Sequence, residues 1–267
     1  MKVALIQMNS QGDKGANLAE ARRLIGRAVA EEAPRLVALP EVFTCLTLDP
    51  EERRRAAEPL GDGEAYHTLR ELAATHRIYL HGGSLLERDG DRLYNTTVVF
   101  DPEGREIARY RKIHLFDVVT PDGKEYRESN SFGRGTEVVT FEADGVTFGL
   151  TICYDLRFAE LFLALAERGA RVILVPAAFT LQTGKDHWEV LLRARAIETQ
   201  TYVLAPAQWG AYADGPRACY GHSLVAEPWG HVIAKAPDRV GYITARLDFE
   251  ALERVRAGIP VAQHRVL

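Results

Sequence analysis

Residues 146–160 read VTFGLTICYDLRFAE and decide the fold class, because an apolar run ends within this stretch and a helical pattern follows at once. The run predicts a buried strand over 146–152, and the spacing after it predicts a helix over 157–168 that ends near Gly169. Cys153 would then lie on a strand-to-helix turn. In α/β sheets this end of a strand is where ligands bind.

The same order of elements is predicted on both sides of this stretch. Upstream the pattern indicates helix 17–32, strand 36–39, helix 63–76 and a strand over 78–85, then hairpin strands over 93–100 and 106–110. Downstream it indicates strand 171–175, helix 186–200, strand 201–206, and a hairpin of 221–226 with 231–236. We therefore expect an α/β fold, a four-layer αββα sandwich of two mixed β-sheets. No Gly/Ser-rich or Pro-rich linker divides the chain, so residues 1–267 are predicted to form a single domain.

Composition excludes several classes of function. The net charge is −4, and the 33 basic residues are mixed with 37 acidic ones, which argues against a nucleic-acid partner. No apolar stretch approaches the roughly 20 residues of a membrane span. The first residues show no signal-peptide pattern, so we expect a cytoplasmic protein. The three cysteines are far apart and lack C-x-x-C spacing, which predicts neither a disulfide framework nor a metal site.

Cys153 is the candidate nucleophile. A helix N-terminus beside a thiol favours the thiolate and can hold an oxyanion, although many cysteines merely fill space, as we expect of Cys45 and Cys219. A thiol also needs a base or a cation nearby. Glu41 and Lys112 each close a predicted strand, so one crevice could collect all three side chains. Taken singly, each could be a solvated surface charge, and a pair of Cys153 with His114 is the weaker alternative.

Three segments together resemble a known family. Leu39-Pro40-Glu41, residues 110–116 (YRKIHLF) and residues 152–158 (ICYDLRF) look like the three signatures that hold the Glu-Lys-Cys triad of the nitrilase, or carbon-nitrogen hydrolase, superfamily. The resemblance continues through residues 176–179, 183–189, 193–198, 220–223 and 228–230. It therefore covers nearly the whole chain.

The resemblance implies a two-step mechanism without metal or organic cofactor. Cys153 would attack an amide carbonyl while Glu41 takes its proton, and Lys112 with the Tyr154 backbone amide would stabilise the oxyanion; Glu41 would then activate water against the thioester. Glu128 matches a second glutamate that orients the lysine or the leaving group, the alternative being an ordinary loop carboxylate. We expect substrate contacts from Tyr154, Phe179, Thr180 and His187, with a packing role as the alternative for His187. An ion pair between Asp155 and Arg157 is predicted to fix the turn.

The closest likeness within the superfamily is to deaminated glutathione amidases and ω-amidases. Residues 187–200, Ala207-Gln208 and residues 220–223 indicate the first, which we favour, whereas Ala159 and Leu181 indicate the second. Either substrate would be a small carboxylated 2-oxo amide, for which a cationic or amide-lined wall is expected. The alternatives are a nitrilase, a non-catalytic relative that binds a metabolite or a protein, and a metal hydrolase, which the lack of His/Asp ligand spacing disfavours. By resemblance we also expect a homodimer or a higher homo-oligomer.

Overall fold

The computed structural model describes residues 1–213, 215 and 217–266. Its helices are α1 (Lys14–Glu32), α2 (Pro50–Ala56), α3 (Glu64–His76), α4 (Ala159–Glu167), α5 (Leu181–Thr199), α6 (Phe249–Gly258) and α7 (Val261–His264). Two short 3₁₀ helices span Glu128–Asn130 and Cys153–Arg157. The strands are β1 (Lys2–Gln7), β2 (Leu36–Ala38), β3 (Tyr79–His81), β4 (Leu85–Asp89), β5 (Arg92–Phe100), β6 (Glu106–Arg111), β7 (Asp117–Val119), β8 (Glu125–Arg127), β9 (Phe132–Gly133), β10 (Thr140–Ala143), β11 (Val146–Leu150), β12 (Val172–Leu174), β13 (Tyr202–Ala205), β14 (Trp209–Tyr212), β15 (Arg217–Tyr220), β16 (Leu224–Ala226), β17 (Val232–Lys235) and β18 (Gly241–Arg246).

Two mixed sheets carry the fold, and each is built around three parallel strands. The first sheet has the order β18-β1-β2-β3-β5-β4, with β6 and β9 also paired to β5. In it β1, β2 and β3 run parallel, and the outer strands are antiparallel except for β9, which runs parallel to β5. The second sheet has the order β10-β11-β12-β13-β16-β17, with β11, β12 and β13 parallel. Parallel neighbours place their carboxyl ends at one edge of the sheet.

Strand alternation separates the layers. In β1, Val3 and Leu5 belong to the apolar cluster that also contains the buried residues of the second sheet, whereas Ala4 and Ile6 pack with α1 and α3. This is the two-residue period of a strand buried on both faces. Helices α4 and α5 cover the other side of the second sheet, and Leu165 of α4 packs on β11. The predicted αββα sandwich of two mixed sheets is confirmed; the single domain over residues 1–267 remains a prediction.

Three helices begin elsewhere than the sequence predicts, and the first, α1, begins at Lys14 rather than at residue 17, after the Asp13 cap. Helix α5 begins at Leu181 rather than near residue 186, capped by the Thr180 side chain, which accepts from the Thr183 amide. The prediction missed this turn because Gly184 disfavours a helix; a Cβ there would lie 2.3 Å from Tyr220, so glycine permits close packing. The segment after β11 starts as a 3₁₀ turn at Cys153, and the α-helix follows only from Ala159.

Two small ribbons, β7–β8 and β14–β15, lie outside the main sheets and were not predicted from the sequence. Nor were α2, α6, β10 and β18. Strand β18 pairs along the whole of β1, so residues 241–246 close the edge of the first sheet. Among the described helices, none combines the length and the apolar character that crossing a bilayer requires.

Candidate active site

Glu41, Lys112 and Cys153 lie together in the wall of one cavity of about 290 Å³. Each follows a strand: Glu41 comes after β2, Lys112 after β6, and Cys153 shortly after β11. Glu41 and Lys112 thus come from the first sheet and Cys153 from the second. All three are buried, with 4%, 2% and 8% of their surface exposed. Glu128, on the 3₁₀ helix after β8, completes the group.

Lys112 is held between two carboxylates. Its Nζ donates to Glu41 Oε1 at 2.9 Å and to Glu128 Oε1 and Oε2 at 3.1 and 2.9 Å. A buried ammonium with one partner removed would carry a large desolvation cost. Two acceptors therefore fix both the position of the ammonium and its charge.

Asn95, on β5, ties the two carboxylates to each other. Its Nδ2 donates to Glu41 Oε1 at 2.9 Å and to Glu128 Oε1 at 3.3 Å. Backbone amides complete both carboxylates, from Ala178 to Glu41 Oε2 at 2.8 Å and from Phe116 to Glu128 Oε2 at 2.7 Å. Each carboxylate is therefore held by at least three donors, which leaves little freedom to rotate.

The charges of Glu41, Lys112 and Glu128 shift the pKa values of the lysine and of the Cys153 thiol. Burial alone would lower the pKa of Lys112, but Glu128 and Glu41 outweigh it and raise that pKa well above its ordinary value. Burial and the Glu41 carboxylate raise the pKa of the Cys153 thiol well above its ordinary value, and Lys112 offsets this only in part. Two carboxylates and one ammonium leave a net negative charge beside the sulfur. Burial and the neighbouring carboxylates therefore favour the neutral thiol over the thiolate.

The backbone at Cys153 turns sharply. Its φ is +47°, in the left-handed region that residues with a side chain rarely adopt, and its amide donates to the Pro176 carbonyl at 2.9 Å. Such strain persists where the surroundings enforce it. Asp155, fully buried, supplies that enforcement by accepting from the Ile152 amide at 2.8 Å and the Tyr110 hydroxyl at 2.6 Å.

The predicted ion pair between Asp155 and Arg157 is wrong. Asp155 points inward to Tyr110 and His114, whose ring lies 2.7 Å from Asp155 Oδ1. Arg157 points the other way, with its guanidinium 5.2 Å from the centre of the Phe179 ring. The tight 3₁₀ turn sends the two side chains in different directions. His114 is thereby engaged by Asp155 and stacks on Phe158.

Three of the four residues predicted to touch the substrate line the cavity: Tyr154, Phe179 and Thr180. His187 does not. Its side chain is exposed, and its Nδ1 lies 3.4 Å from the Arg157 guanidinium. Cys45 also lines the cavity, and burial raises the pKa of its thiol to about 11. Cys219 is buried.

Gly83 shapes the backbone that carries Glu41. Its φ is +57°, and a Cβ there would lie 2.0 Å from the Pro40 carbonyl oxygen. The next residue, Ser84, donates its amide to that carbonyl at 3.2 Å, and its hydroxyl accepts from the Val42 amide at 2.9 Å. The chain around Glu41 is therefore fixed by contact with the loop after β3.

Several residues that build the site were not predicted from the sequence. They are Asn95, Phe116, Tyr126, Arg53 and Arg217. The only local signal was polar Asn95-Thr96-Thr97 inside an otherwise apolar strand, since buried polar side chains need partners. Among the described residues, no group of three or more His, Cys, Asp or Glu side chains could hold a metal ion.

The chain belongs to the carbon-nitrogen hydrolase family, whose model matches residues 2–257. It is 43% identical to deaminated glutathione amidase of Bos taurus, over 98% of this chain and 81% of that protein. It is 38% identical to omega-amidase NIT2 of Homo sapiens, over 99% of this chain and 94% of that protein. The structure of the C. elegans NitFhit protein superposes with a TM-score of 0.91 at 39% identity; the match covers 99% of this chain but only 64% of that protein's length. The resemblance predicted from three motifs is thus confirmed.

Proposed function

We propose that this protein is a cysteine-dependent amidase that hydrolyses a small carboxylated 2-oxo amide through a thioester on Cys153. The observation that carries the proposal is the meeting of Cys153, Glu41 and Lys112 in one cavity wall, with Lys112 Nζ 2.9 Å from Glu41. A thiol, a carboxylate and an ammonium in one buried place are the groups that covalent acyl transfer needs.

In the first step Cys153 Sγ bonds to the amide carbonyl carbon, and Glu41 accepts the thiol proton. Because the thiol pKa is raised, deprotonation has to accompany the attack, which is the work of a general base. Lys112 Nζ and the Tyr154 amide stabilise the oxyanion. The carbon–nitrogen bond then breaks, the nitrogen takes the proton from Glu41, and the amine leaves.

In the second step Glu41 takes a proton from water, and the hydroxide attacks the thioester carbonyl. The carbon–sulfur bond breaks, the sulfur regains a proton from Glu41, and the carboxylic acid product leaves. Glu128 is a positioning residue, since it holds Lys112 through both carboxylate oxygens. Tyr154, Phe179 and Thr180 are proposed to border the substrate.

Deaminated glutathione is the substrate we propose, because the chain is 43% and 40% identical to amidases named for it from Bos taurus and Synechocystis. The second candidate is 2-oxoglutaramate, the type of substrate expected of an ω-amidase, given 38% identity to the human protein of that name. Both have a 2-oxo acid on the acyl side. They differ in the leaving group, a cysteine dipeptide in one and ammonia in the other.

The test measures hydrolysis of each of the two amides and follows the mass of the intact protein during the reaction by mass spectrometry. Turnover of deaminated glutathione above 2-oxoglutaramate, a transient mass increase of one acyl group on Cys153, and loss of both in Cys153→Ala are expected. If wild-type protein forms no adduct and hydrolyses neither amide, the proposal fails and a non-catalytic binding role takes its place. Turnover that survives in Cys153→Ala would also contradict it.

We also propose a homodimer formed through the outer face of α5. Val190 and Ile197 on this helix are 66% and 49% exposed, beside Trp229 and Ile233 at 53% and 41%. Gly230 packs directly on Ile197, and Lys235 of β17 pairs with Glu189 of α5 at 2.8 Å, so helix α5 and the β16–β17 hairpin adjoin. Such a patch is typical of a protein interface. Sedimentation of the wild type and Ile197→Glu tests this; a monomeric wild type would contradict it.

A further inference from the structure

The cavity wall carries four cationic side chains, and they differ in what neutralises them. Lys112 has Glu41 and Glu128, and Arg127 pairs with Glu125 at 2.7 Å. Arg53 and Arg217 also line the cavity, yet neither forms an ion pair with any carboxylate within residues 1–213, 215 and 217–266. Two guanidiniums thus face the cavity without an anionic partner there.

The guanidinium of Arg53, on α2, is held in place along one edge by hydrogen bonds. Its Nε and Nη2 donate to the Thr47 carbonyl at 3.2 and 2.8 Å, and its Nη1 lies 3.3 Å from Ser131 Oγ. Burial lowers its pKa below the ordinary value, and the nearby Glu128 only partly offsets this. This half-buried guanidinium has no carboxylate in ion-pair contact among the described residues to compensate the lost hydration.

Arg217, on β15, reaches the same wall from the opposite ribbon. Its guanidinium lies 4.0 Å from the centre of the Tyr126 ring, and its Nη2 donates to the Glu125 carbonyl at 2.8 Å. Tyr126 contacts Phe116, and Phe116 contacts Tyr154, with ring centres 5.0 Å apart at each contact. An aromatic wall therefore leads from the residue after Cys153 to Arg217.

We infer that Arg53 and Arg217 are substrate-specificity residues that bind a carboxylate of the amide, an inference that rests on the proposed amidase function. Arginine binds carboxylates through two parallel hydrogen bonds, and here the guanidinium planes are already oriented by backbone carbonyls. The two arginines supply the cationic wall that a carboxylated substrate requires. They act away from the reacting atoms, so they are binding residues and not members of the triad.

A carboxylate could reach this wall from either end of the substrate. Deaminated glutathione carries one on the acyl side and one on the leaving group, whereas 2-oxoglutaramate carries only the acyl one. An uncharged amide such as propionamide carries neither. The three compounds therefore separate the acyl carboxylate, the leaving-group carboxylate and the amide itself.

The experiment measures kcat/KM on these three amides for Arg53→Gln and Arg217→Gln. Losing a charge-assisted hydrogen bond predicts a decrease of roughly 10- to 100-fold for carboxylated amides, with propionamide hydrolysis unchanged. A decrease on deaminated glutathione alone assigns the pair to the leaving group, and a decrease on both assigns it to the acyl side. Arg54→Gln, an exposed arginine on the same helix, is the matched control and keeps all three activities.

Equal losses on all three amides would show that the arginines only support the fold, and the inference would be overturned. No loss on any of them would overturn it as well. Calorimetric titration of Cys153→Ala with 2-oxoglutarate, with and without each arginine change, reads the binding without turnover. If wild-type protein hydrolyses none of the amides, the proposed function fails, while arginine-dependent binding of 2-oxoglutarate would still support the carboxylate site.

Discussion

Glu128→Gln tests the positioning of Lys112 with an almost isosteric change. Glu128 Oε2 accepts from the Phe116 amide and from Lys112, and Oε1 accepts from Lys112 and Asn95. A glutamine can keep only one oxygen in place. If that oxygen takes the Oε2 position, the amide nitrogen at the other position faces two donors and accepts from neither.

The contacts of Glu128 give the expected size of the loss in stability and in kcat. The variant loses one hydrogen bond from a charged donor and one from a neutral donor, about 2–4 kcal/mol together. Only 14% of the Glu128 side chain is exposed, so solvent compensates little. Free energy of unfolding should fall by about that amount. If Lys112 stabilises the oxyanion as proposed, its displacement should lower kcat by roughly 10²- to 10³-fold, the effect of removing one oxyanion donor.

The assay combines steady-state kinetics with urea denaturation of Glu128→Gln. The matched control is Glu137→Gln, because Glu137 is exposed and makes no hydrogen bond or ion pair with a described residue. A folded variant with wild-type kcat would refute the positioning role. A rise in KM with kcat intact would instead assign Glu128 to substrate binding.

Three further outcomes follow from contacts away from the reacting atoms. Gly83→Ala should lower the free energy of unfolding by several kcal/mol and reduce kcat, because the new Cβ would clash with the backbone next to Glu41. The control is Gly90→Ala, which has φ +58° but open space around it and should cost only about 1 kcal/mol in thermal unfolding. Burial lowers the pKa of His81 to about 3, so below about pH 6.5 the imidazole is protonated in the unfolded chain but not in the folded protein, and the free energy of unfolding falls by roughly 1.4 kcal/mol per pH unit. In urea denaturation at several pH values, His81→Asn should reduce this slope, and an unchanged slope would contradict the assignment. Tyr110→Phe should lower the free energy of unfolding by about 1.5–3 kcal/mol in urea denaturation, because the buried Asp155 carboxylate loses its 2.6 Å bond from the Tyr110 hydroxyl; a change near zero would contradict a stabilising role of this bond.

The layers and the triad were predictable because they depend on local patterns. Apolar runs marked β2 and β11, which lead to Glu41 and Cys153, and a turn sequence marked the hairpin strand β6, which leads to Lys112. Ligands bind at the carboxyl ends of strands in such sheets, so residues at three strand ends could be expected to share one crevice. Their order along the chain also matched the family signatures.

The rest of the site depends on contacts between segments that lie far apart in the sequence. Asn95 lies in the middle of β5, and its two carboxylate partners become visible only when the strands are paired. Arg53 belongs to a short charged helix that resembles an ordinary surface segment. The orientation of Asp155 and Arg157 was mispredicted because the turn after Cys153 is a 3₁₀ helix over Cys153–Arg157, which the apolar spacing does not indicate.

The carboxylate of Glu41 also fastens the two halves of the molecule to each other. One oxygen is bound by Lys112 beside the first sheet, and the other by the Ala178 amide beside the second. A slip of about 1 Å between the halves would stretch one of these bonds and misplace the reacting groups. Activity therefore depends on how the two sheets are aligned. On heating, loss of activity should coincide with unfolding of the apolar core between the two sheets.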